Sequence, residues 1–262
     1  MSEHILEADG ITLRFGGVTA IHDVSFHVEP GELFSIIGPN GAGKTSIFNT
    51  ISQVYRPQEG DIRWKGESIM GHRPDYVAEL GIARTFQNIE LFPQMTVIEN
   101  LLLGRHIRMK QNWFQGMLWF GAAKAEEMEN RRRVEDIIDF LEIEEWRNHP
   151  VALLPYGIQK LVELGRALAM DPELLLLDEP VAGMNLEETE DMARFILDIR
   201  RELGISMVMV EHDMGLVMDI ADRIMVLDFG EKIAEGTPEE VQQDPNVIAA
   251  YLGSSDLHVA AE

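Results

Sequence analysis

The 262-residue chain contains no cysteine, which excludes disulfides and thiolate-held zinc. It also lacks a long apolar run: nothing approaches the roughly 18 uninterrupted apolar residues that a membrane-spanning helix needs. Basic side chains are scarce, 22 Lys and Arg against 45 Asp and Glu, for a formal charge of -23. So acidic a chain repels polyanions at long range, which disfavours non-specific binding to DNA, RNA or anionic headgroups. The same charge serves plain solubility or a salty cytoplasm. The opening "MSEHILEADG" has no basic start and no apolar stretch of a secretory signal, so the chain is expected to stay where it is made. No internal repeat, long linker or low-complexity segment is visible.

What is present is ordinary globular material, 45% hydrophobic and long enough to bury a sizeable core. Residues 4–37 alternate apolar and polar positions between Gly and Pro breaks, which predicts antiparallel strands, "LFSII" (33–37) among them. A helix is expected from Lys44 to Gln53, a hairpin strand at "GDIRWKG" and a strand near 82–86 in "ARTFQ". From Thr96 to Met170 apolar residues recur at three and four positions, the helical period, so an α-helical insert is expected there. The nearly pure apolar runs "LLLL" (174–177) and "SMVMV" (206–210) read as parallel strands buried on both faces, separated by a helix over about Leu186 to Leu203. A last strand "RIMVLDF" and a short helix after "TPEE" close the domain.

The stretch "GPNGAGKT" (38–45) fits G-x-x-x-x-G-K-[ST] between a strand and a helix, the context a phosphate-binding loop requires. Gly38, Pro39, Asn40, Gly41, Ala42, Gly43, Lys44, Thr45 and Ser46 are the candidate nucleotide contacts. Glycines let backbone N–H groups turn inward around an anion, and the following helix adds its positive end. Lys44 is placed to reach the β and γ phosphates, with the Thr45 hydroxyl on Mg²⁺. A chance match in a chain of this length is on the order of one per cent. "ELLLLDEP" supplies the second half of such a site, delivering Asp178 and Glu179 to the C-terminal end of a buried strand. Asp178 suits the metal shell, and Glu179 suits the orientation or deprotonation of an attacking water.

With these two motifs in place, the order of landmarks resembles the ATP-binding cassette (ABC) transport ATPases over nearly the whole chain. The fold this implies is α/β: a P-loop NTPase core of ABC type with an N-terminal antiparallel β-subdomain and an inserted α-helical subdomain. One domain is expected over 1–253, with the helical subdomain at about 95–170 and a tail at 254–262. The resemblance implies that Gln87 in "RTFQ" is the glutamine that senses Mg²⁺ and the γ-phosphate, that His212 in "MVEHD" is the switch histidine, and that Phe15 in "RFGG" stacks on adenine. Catalytic roles thus fall to Glu179, His212, Gln87 and Lys44, and metal contacts to Thr45, Gln87 and Asp178.

The segment "LLPYGIQKLVELGRAL" stands where the family carries its Leu-Ser-Gly-Gly-Gln signature. Leu154 and Gly157 agree; Pro155 replaces the serine, Tyr156 the first glycine and Ile158 the glutamine. Proline offers neither hydroxyl nor N–H, so Tyr156, Gly157 and the helix dipole behind them are the contacts implied for a nucleotide held by the opposite subunit. "EPVAGMN" (179–185) resembles the family's D-loop, with Asn185 where many members have aspartate. This D-loop, the tyrosine-glycine signature and the ending "PNVIAAYLG" resemble the ATPases of branched-chain amino acid uptake. Related systems for urea or amides, and for lipopolysaccharide export, remain alternatives, as does, at greater remove, a soluble ABC ATPase acting on nucleic acid or ribosomes. Implied partners are ATP, Mg²⁺, a second ABC subunit in a homo- or heterodimer, transmembrane permease subunits and, indirectly, a solute-binding protein, with no nucleic acid. The implied location is peripheral, on the cytoplasmic face of the inner (plasma) membrane. "QNWFQGMLWFGAA" (111–123) is too short to span a bilayer and reads as buried packing or an interfacial element. The basic residues of 105–110 and Arg131 to Arg133 read as a solvated face or a headgroup contact.

Overall fold

Alternation of apolar and polar positions along residues 6–28, interrupted by irregularities within β1, produces an antiparallel sheet in the protein, whose computed structural model describes residues 4–87, 89–108 and 120–253. Strands β1 (Leu6–Phe15) and β2 (Val18–Val28) pair with Leu6 opposite Val28 and Phe15 opposite Val18. Strand β4 (Glu59–Trp64) adds to the other side of β1, and the short β5 (Glu67–Ser68) follows it, giving the order β2-β1-β4-β5.

Strand β3 (Leu33–Ile37) does not join them. Its neighbours are β8 (Ser206–Val210) and β9 (Arg223–Asp228), both parallel to it, in a second sheet of order β10-β9-β3-β8-β7-β6. The expectation of an antiparallel strand at 33–37 is therefore corrected. The physical sign is that all five residues are buried, including Ser35, as befits a central strand covered on both faces. Strands β6 (Ile82–Arg84) and β7 (Leu174–Asp178) continue the parallel set, and β10 (Glu231–Gly236) closes the other edge antiparallel to β9.

Period-two geometry sends successive side chains of these strands into two different cores. Phe34, Ile36, Leu174, Leu176, Val208 and Val210 pack with the antiparallel sheet and with α1 (Lys44–Ile51). Leu33, Ile37, Leu175, Leu177, Met207 and Met209 pack with the helices on the opposite face. Those helices are α3 (Val97–Arg105), α4 (Phe120–Phe140), α5 (Tyr156–Leu168), α6 (Leu186–Leu203) and α7 (Met214–Ile220). Helix α2 (Pro74–Glu79) precedes β6, and α8 (Pro238–Gln243) and α9 (Pro245–Gly253) end the described chain. Strand β10 and helices α2 and α7 have no counterpart in the sequence reading, and α1 stops at Ile51, short of Gln53.

Local signals fix several helix starts. Thr96, Asn185 and Thr237 each accept the N–H three residues on, while Glu99, Glu188 and Glu240 return the bond, forming capping boxes. Each cap is worth about 1 kcal/mol. The basic residues at 105–110 and 131–133 are not one solvated face. Arg105 is buried, donating to Asn130 Oδ1 and the Ala169 carbonyl at 2.9 Å each, and Arg133 donates to Asp171 Oδ1 at 3.0 Å. Residues 109–119, which hold most of the aromatic segment and the end of the basic cluster, lie outside the described residues.

Candidate functional site

Strands β3, β8, β7 and β6 are consecutive neighbours and parallel, so their carboxyl ends share one edge of the sheet, the edge where ligands of open α/β sheets bind. Following β3 comes the loop 38–43; following β8, Glu211 and His212; at the end of β7, Asp178 and Glu179; following β6, Gln87.

The loop's glycines are dictated by its surroundings. A Cβ on Gly38 would lie 2.1 Å from the Leu227 carbonyl oxygen, and one on Gly43 would lie 2.5 Å from that of Ala20. Gly43 also has φ 106 and starts α1 with no side-chain cap, so the first N–H groups of the helix are free for an anion. Thr45 lies exposed at this helix start and Ser46 half-buried beside it.

Lys44 is buried and folds back, donating to the carbonyls of Gly38 at 2.6 Å and Pro39 at 3.2 Å. Burial pushes its pKa down, against the pull of Glu179, Asp178 and Glu211. This ammonium faces three carboxylates, and an incoming phosphate chain offers it further oxygen acceptors.

Gln87 Nε2 donates to Glu179 Oε2 at 2.9 Å, and His212 Nδ1 lies 3.8 Å from the same oxygen. The three residues assigned to the γ-phosphate end thus meet around one carboxylate oxygen. Glu179 takes φ 49, and its N–H donates to the Val210 carbonyl at 2.9 Å. A non-glycine residue there carries backbone strain of order 1 kcal/mol, which the surrounding strands hold in place.

Sequence reasoning missed four charged groups. Arg84, at the end of β6, donates to Asp178 Oδ2 and Asn49 Oδ1 at 2.7 Å each and lies over the rings of Phe48 and Phe86. Burial pushes the Asp178 carboxyl up, and the Arg84 guanidinium opposes that shift. Glu211 is fully buried and accepts from Val181 N at 3.1 Å, His212 N at 2.9 Å and Asp213 N at 3.4 Å. Burial raises its pKa despite these bonds. Lys160 and Glu163, both buried on α5, complete the set. The available signal was charge inside otherwise apolar runs, "VMVEH" and "KLVELG", where an unpaired ion is too costly to persist.

Tyr156 and Gly157 pack on the segment 182–188 rather than on the phosphate loop. The Tyr156 hydroxyl donates to the Ala182 carbonyl at 3.0 Å, and Gly157 leaves room for Glu188, whose Oε1 would lie 2.5 Å from an added Cβ. Pro155 is the N-cap of α5 and makes no side-chain cap bond. Phe15, 46% exposed at the end of β1, meets Tyr55 edge-on at 5.0 Å, leaving ring surface open. Tyr251, on α9, has its hydroxyl pushed up to about 12 by burial, with the Gly38 N–H as a partner, so the last helix touches the start of the phosphate loop.

The site is that of a P-loop nucleotide hydrolase, and comparison with known proteins narrows it. An ABC transporter family model matches residues 21–182, and a model described as branched-chain amino acid ATP-binding cassette transporter matches residues 231–256. The chain belongs to the ABC transporter family, as an ATP-binding cassette ATPase. It is 41% identical, over 97% of its length and 100% of the relative's, to the high-affinity branched-chain amino acid transport ATP-binding protein BraF of Pseudomonas aeruginosa. It is 39% identical over the same shares to the corresponding protein LivG of Escherichia coli. Among solved structures, an ATP-binding cassette of an ABC transporter in its ADP conformation superposes with a TM-score of 0.84 at 31% identity, over 96% of this chain and 100% of that one. A dimeric cassette bound to ADP and Pi, 24% identical with a TM-score of 0.75 over 89% of this chain and 98% of that one, agrees in fold.

Proposed function

We propose that the protein is the ATP-hydrolysing subunit of a membrane importer for branched-chain or related amino acids, acting on the cytoplasmic face of the membrane through partner permease subunits. No described helix is long and apolar enough to cross a membrane, so the passage itself falls to those partners. The observation that carries the reading is the meeting of Gln87 and His212 at one oxygen of Glu179, at the same sheet edge as the buried Lys44 of the glycine-rich loop, in a chain whose relatives are named for branched-chain amino acid transport.

In this reading the triphosphate of ATP lies along residues 38–46, with Lys44 on the β and γ phosphates and Phe15 against the adenine. Glu179 orients a water and takes its proton as the water oxygen bonds to the γ-phosphorus and the bond to ADP breaks. Gln87 and His212 hold that water and the γ-phosphate in line. The donors assigned to Mg²⁺, the Thr45 hydroxyl, the Asp178 carboxylate and the Gln87 amide oxygen, are hard oxygens of the type this ion prefers. Asp178 already holds a cation, the guanidinium of Arg84 at 2.7 Å, so the residues fit it. When bound, the ion offsets charge on the phosphate oxygens. A second cassette would bring its own Tyr156 and Gly157 over this nucleotide, so that ATP joins the two subunits and hydrolysis parts them.

The test is affinity purification from membranes, followed by reconstitution of the complex in vesicles. Membrane-spanning subunits should co-purify, and labelled leucine, isoleucine or valine should accumulate only with ATP. Glu179→Gln should bind ATP, trap a dimer and stop uptake. Uptake at the wild-type rate in that variant removes Glu179 from its role, and transport of none of these solutes removes the substrate class.

A further inference from the structure

Helix α5 carries three long polar side chains at every third position on a face that should be apolar. Lys160 and Glu163 are 3% and 2% exposed, and burying two ionisable groups in a helix that also supplies Leu161, Val162 and Leu164 to the core demands specific partners. Their hydrogen-bond partners are backbone groups of the segment that holds Gln87 and of Glu179. Lys160 Nζ donates to the Gln87 carbonyl at 3.2 Å and to the Glu179 carbonyl at 3.4 Å. Glu163 accepts from the Phe86 N–H at 3.2 Å and from the Glu90 N–H. Arg166 donates to the Glu90 carbonyl. Spacing of three residues stacks these side chains along one side of α5.

The first turn of the same helix is Pro155, Tyr156 and Gly157. One rigid element of 13 residues, about 20 Å long at 1.5 Å per residue, therefore connects the signature position to both ends of the segment 86–90 and to the backbone of Glu179. The bonds act on main-chain atoms, so they are indifferent to the side chains of 86–90 and sensitive only to where the helix lies.

We propose that Lys160, Glu163 and Arg166 form a strut that sets the distance between Gln87 and Glu179, so that the catalytic pair is in register only when α5 is seated. Lys160 is its central member, because it alone holds a carbonyl of each partner. These are positioning residues, acting through Gln87 and Glu179. The proposal rests on the ATPase reading above, and it makes turnover in one subunit depend on the seating of its own signature helix.

The test is steady-state ATP hydrolysis by the full chain in its complex, paired with ATP affinity and Tm. Lys160→Met keeps length and burial and removes the donor; kcat should fall about tenfold, equal to 1.4 kcal/mol, with ATP affinity unchanged. Lys160→Arg, which still donates, should recover at least half of that loss. Glu163→Leu, which removes the acceptor of the Phe86 and Glu90 N–H groups, should lower kcat about fivefold with ATP affinity unchanged and serves as the deciding variant if Lys160→Met fails to fold. The proposal is overturned if kcat stays within twofold of wild type in the folded variants, or if kcat and affinity fall together without recovery in Lys160→Arg, as for a merely structural role. If the wild-type complex hydrolyses no ATP, the functional reading itself fails first, and that outcome is seen before any variant is made.

Discussion

Helices α1 and α5 both begin without a side-chain cap, whereas α3, α6 and α8 are closed by capping boxes from Thr96, Asn185 and Thr237. The two open starts differ in how they were built. At α1, Gly43 takes a left-handed backbone and Lys44 is buried beside the loop it serves, so the chain brings together its own cradle of N–H groups and its own cation. At α5, Pro155 contributes no donor, Tyr156 is 44% exposed, and the nearest contacts are with residues 182–188. The α1 end gathers its N–H groups and its cation within one chain; the α5 end leaves its tyrosine half open to solvent.

The sharpest break of this contrast is Lys44→Ala. It removes the buried ammonium that faces Glu179, Asp178 and Glu211, leaving three carboxylates at the site of a polyanion. ATP affinity measured by calorimetry should fall by about a hundredfold or more, the scale of a lost charge-assisted contact with repulsion added. Affinity within a few-fold of wild type would mean that the loop does not hold phosphate through its lysine. An equivalent change at α5 should leave nucleotide affinity of the isolated chain unaltered.

How much of this was legible depends on how local the cause is. The glycine-rich loop was plain because its glycines stand where neighbouring carbonyls leave no room for a side chain, and "LLLLDEP" because a strand buried on both faces must be apolar throughout. Strand β3 was misplaced because an apolar run of five does not state which sheet it joins; its partners β8 and β9 lie far along the chain, Leu33 pairing with Met207 and Phe34 with Arg223. Helices α2 and α7 span too few turns for periodicity to show, and β10 is too polar. Arg84, Lys160, Glu163 and Glu211 escaped notice because a charge in the sequence does not reveal its burial; the hydrogen-bond partners of the last three are main-chain atoms with no sequence signature, and those of Arg84 are side chains 35 and 94 residues away. The signature was legible in position and illegible in chemistry, since Tyr156 makes its bond to Ala182, which no motif of the loop itself announces.

A smaller effect tests whether the two ends are joined at residues 181 and 182. Glu211 accepts from Val181, next to the Ala182 carbonyl held by Tyr156. Burial raises the Glu211 pKa in the folded protein, so the fold disfavours its ionised form. The associated stability is fully present below the ordinary Glu range and is lost as pH rises through the raised value. Glu211→Gln has no such titration, so the advantage of wild type over the variant in Tm should shrink as pH rises above the ordinary Glu range. Lys44 and His212 face the same carboxylate and are unchanged by the substitution. A difference in Tm that stays constant with pH would show that Glu211 carries no raised titration in the fold.

The smallest effect falls on Tyr156 itself. Tyr156→Phe removes one hydroxyl that donates at 3.0 Å to a main-chain carbonyl and keeps the ring against Gly183, from which the Tyr156 Cε1 would stand 3.2 Å from an added Cβ. A neutral hydrogen bond at a half-exposed site is worth about 1 kcal/mol at most, so folding should be nearly unaffected. If the hydroxyl only fastens residues 181–185 within the subunit, ATP turnover in the complex should drop by about fivefold or less, with ATP affinity unaltered, since the phosphate loop is complete without it. If instead the hydroxyl is the group that replaces the missing serine toward a nucleotide on a second subunit, trapping of the dimer by ATP in the Glu179→Gln background should be lost along with it. The two outcomes separate on the dimer assay alone, because a fastening role within one chain leaves the trapped dimer intact.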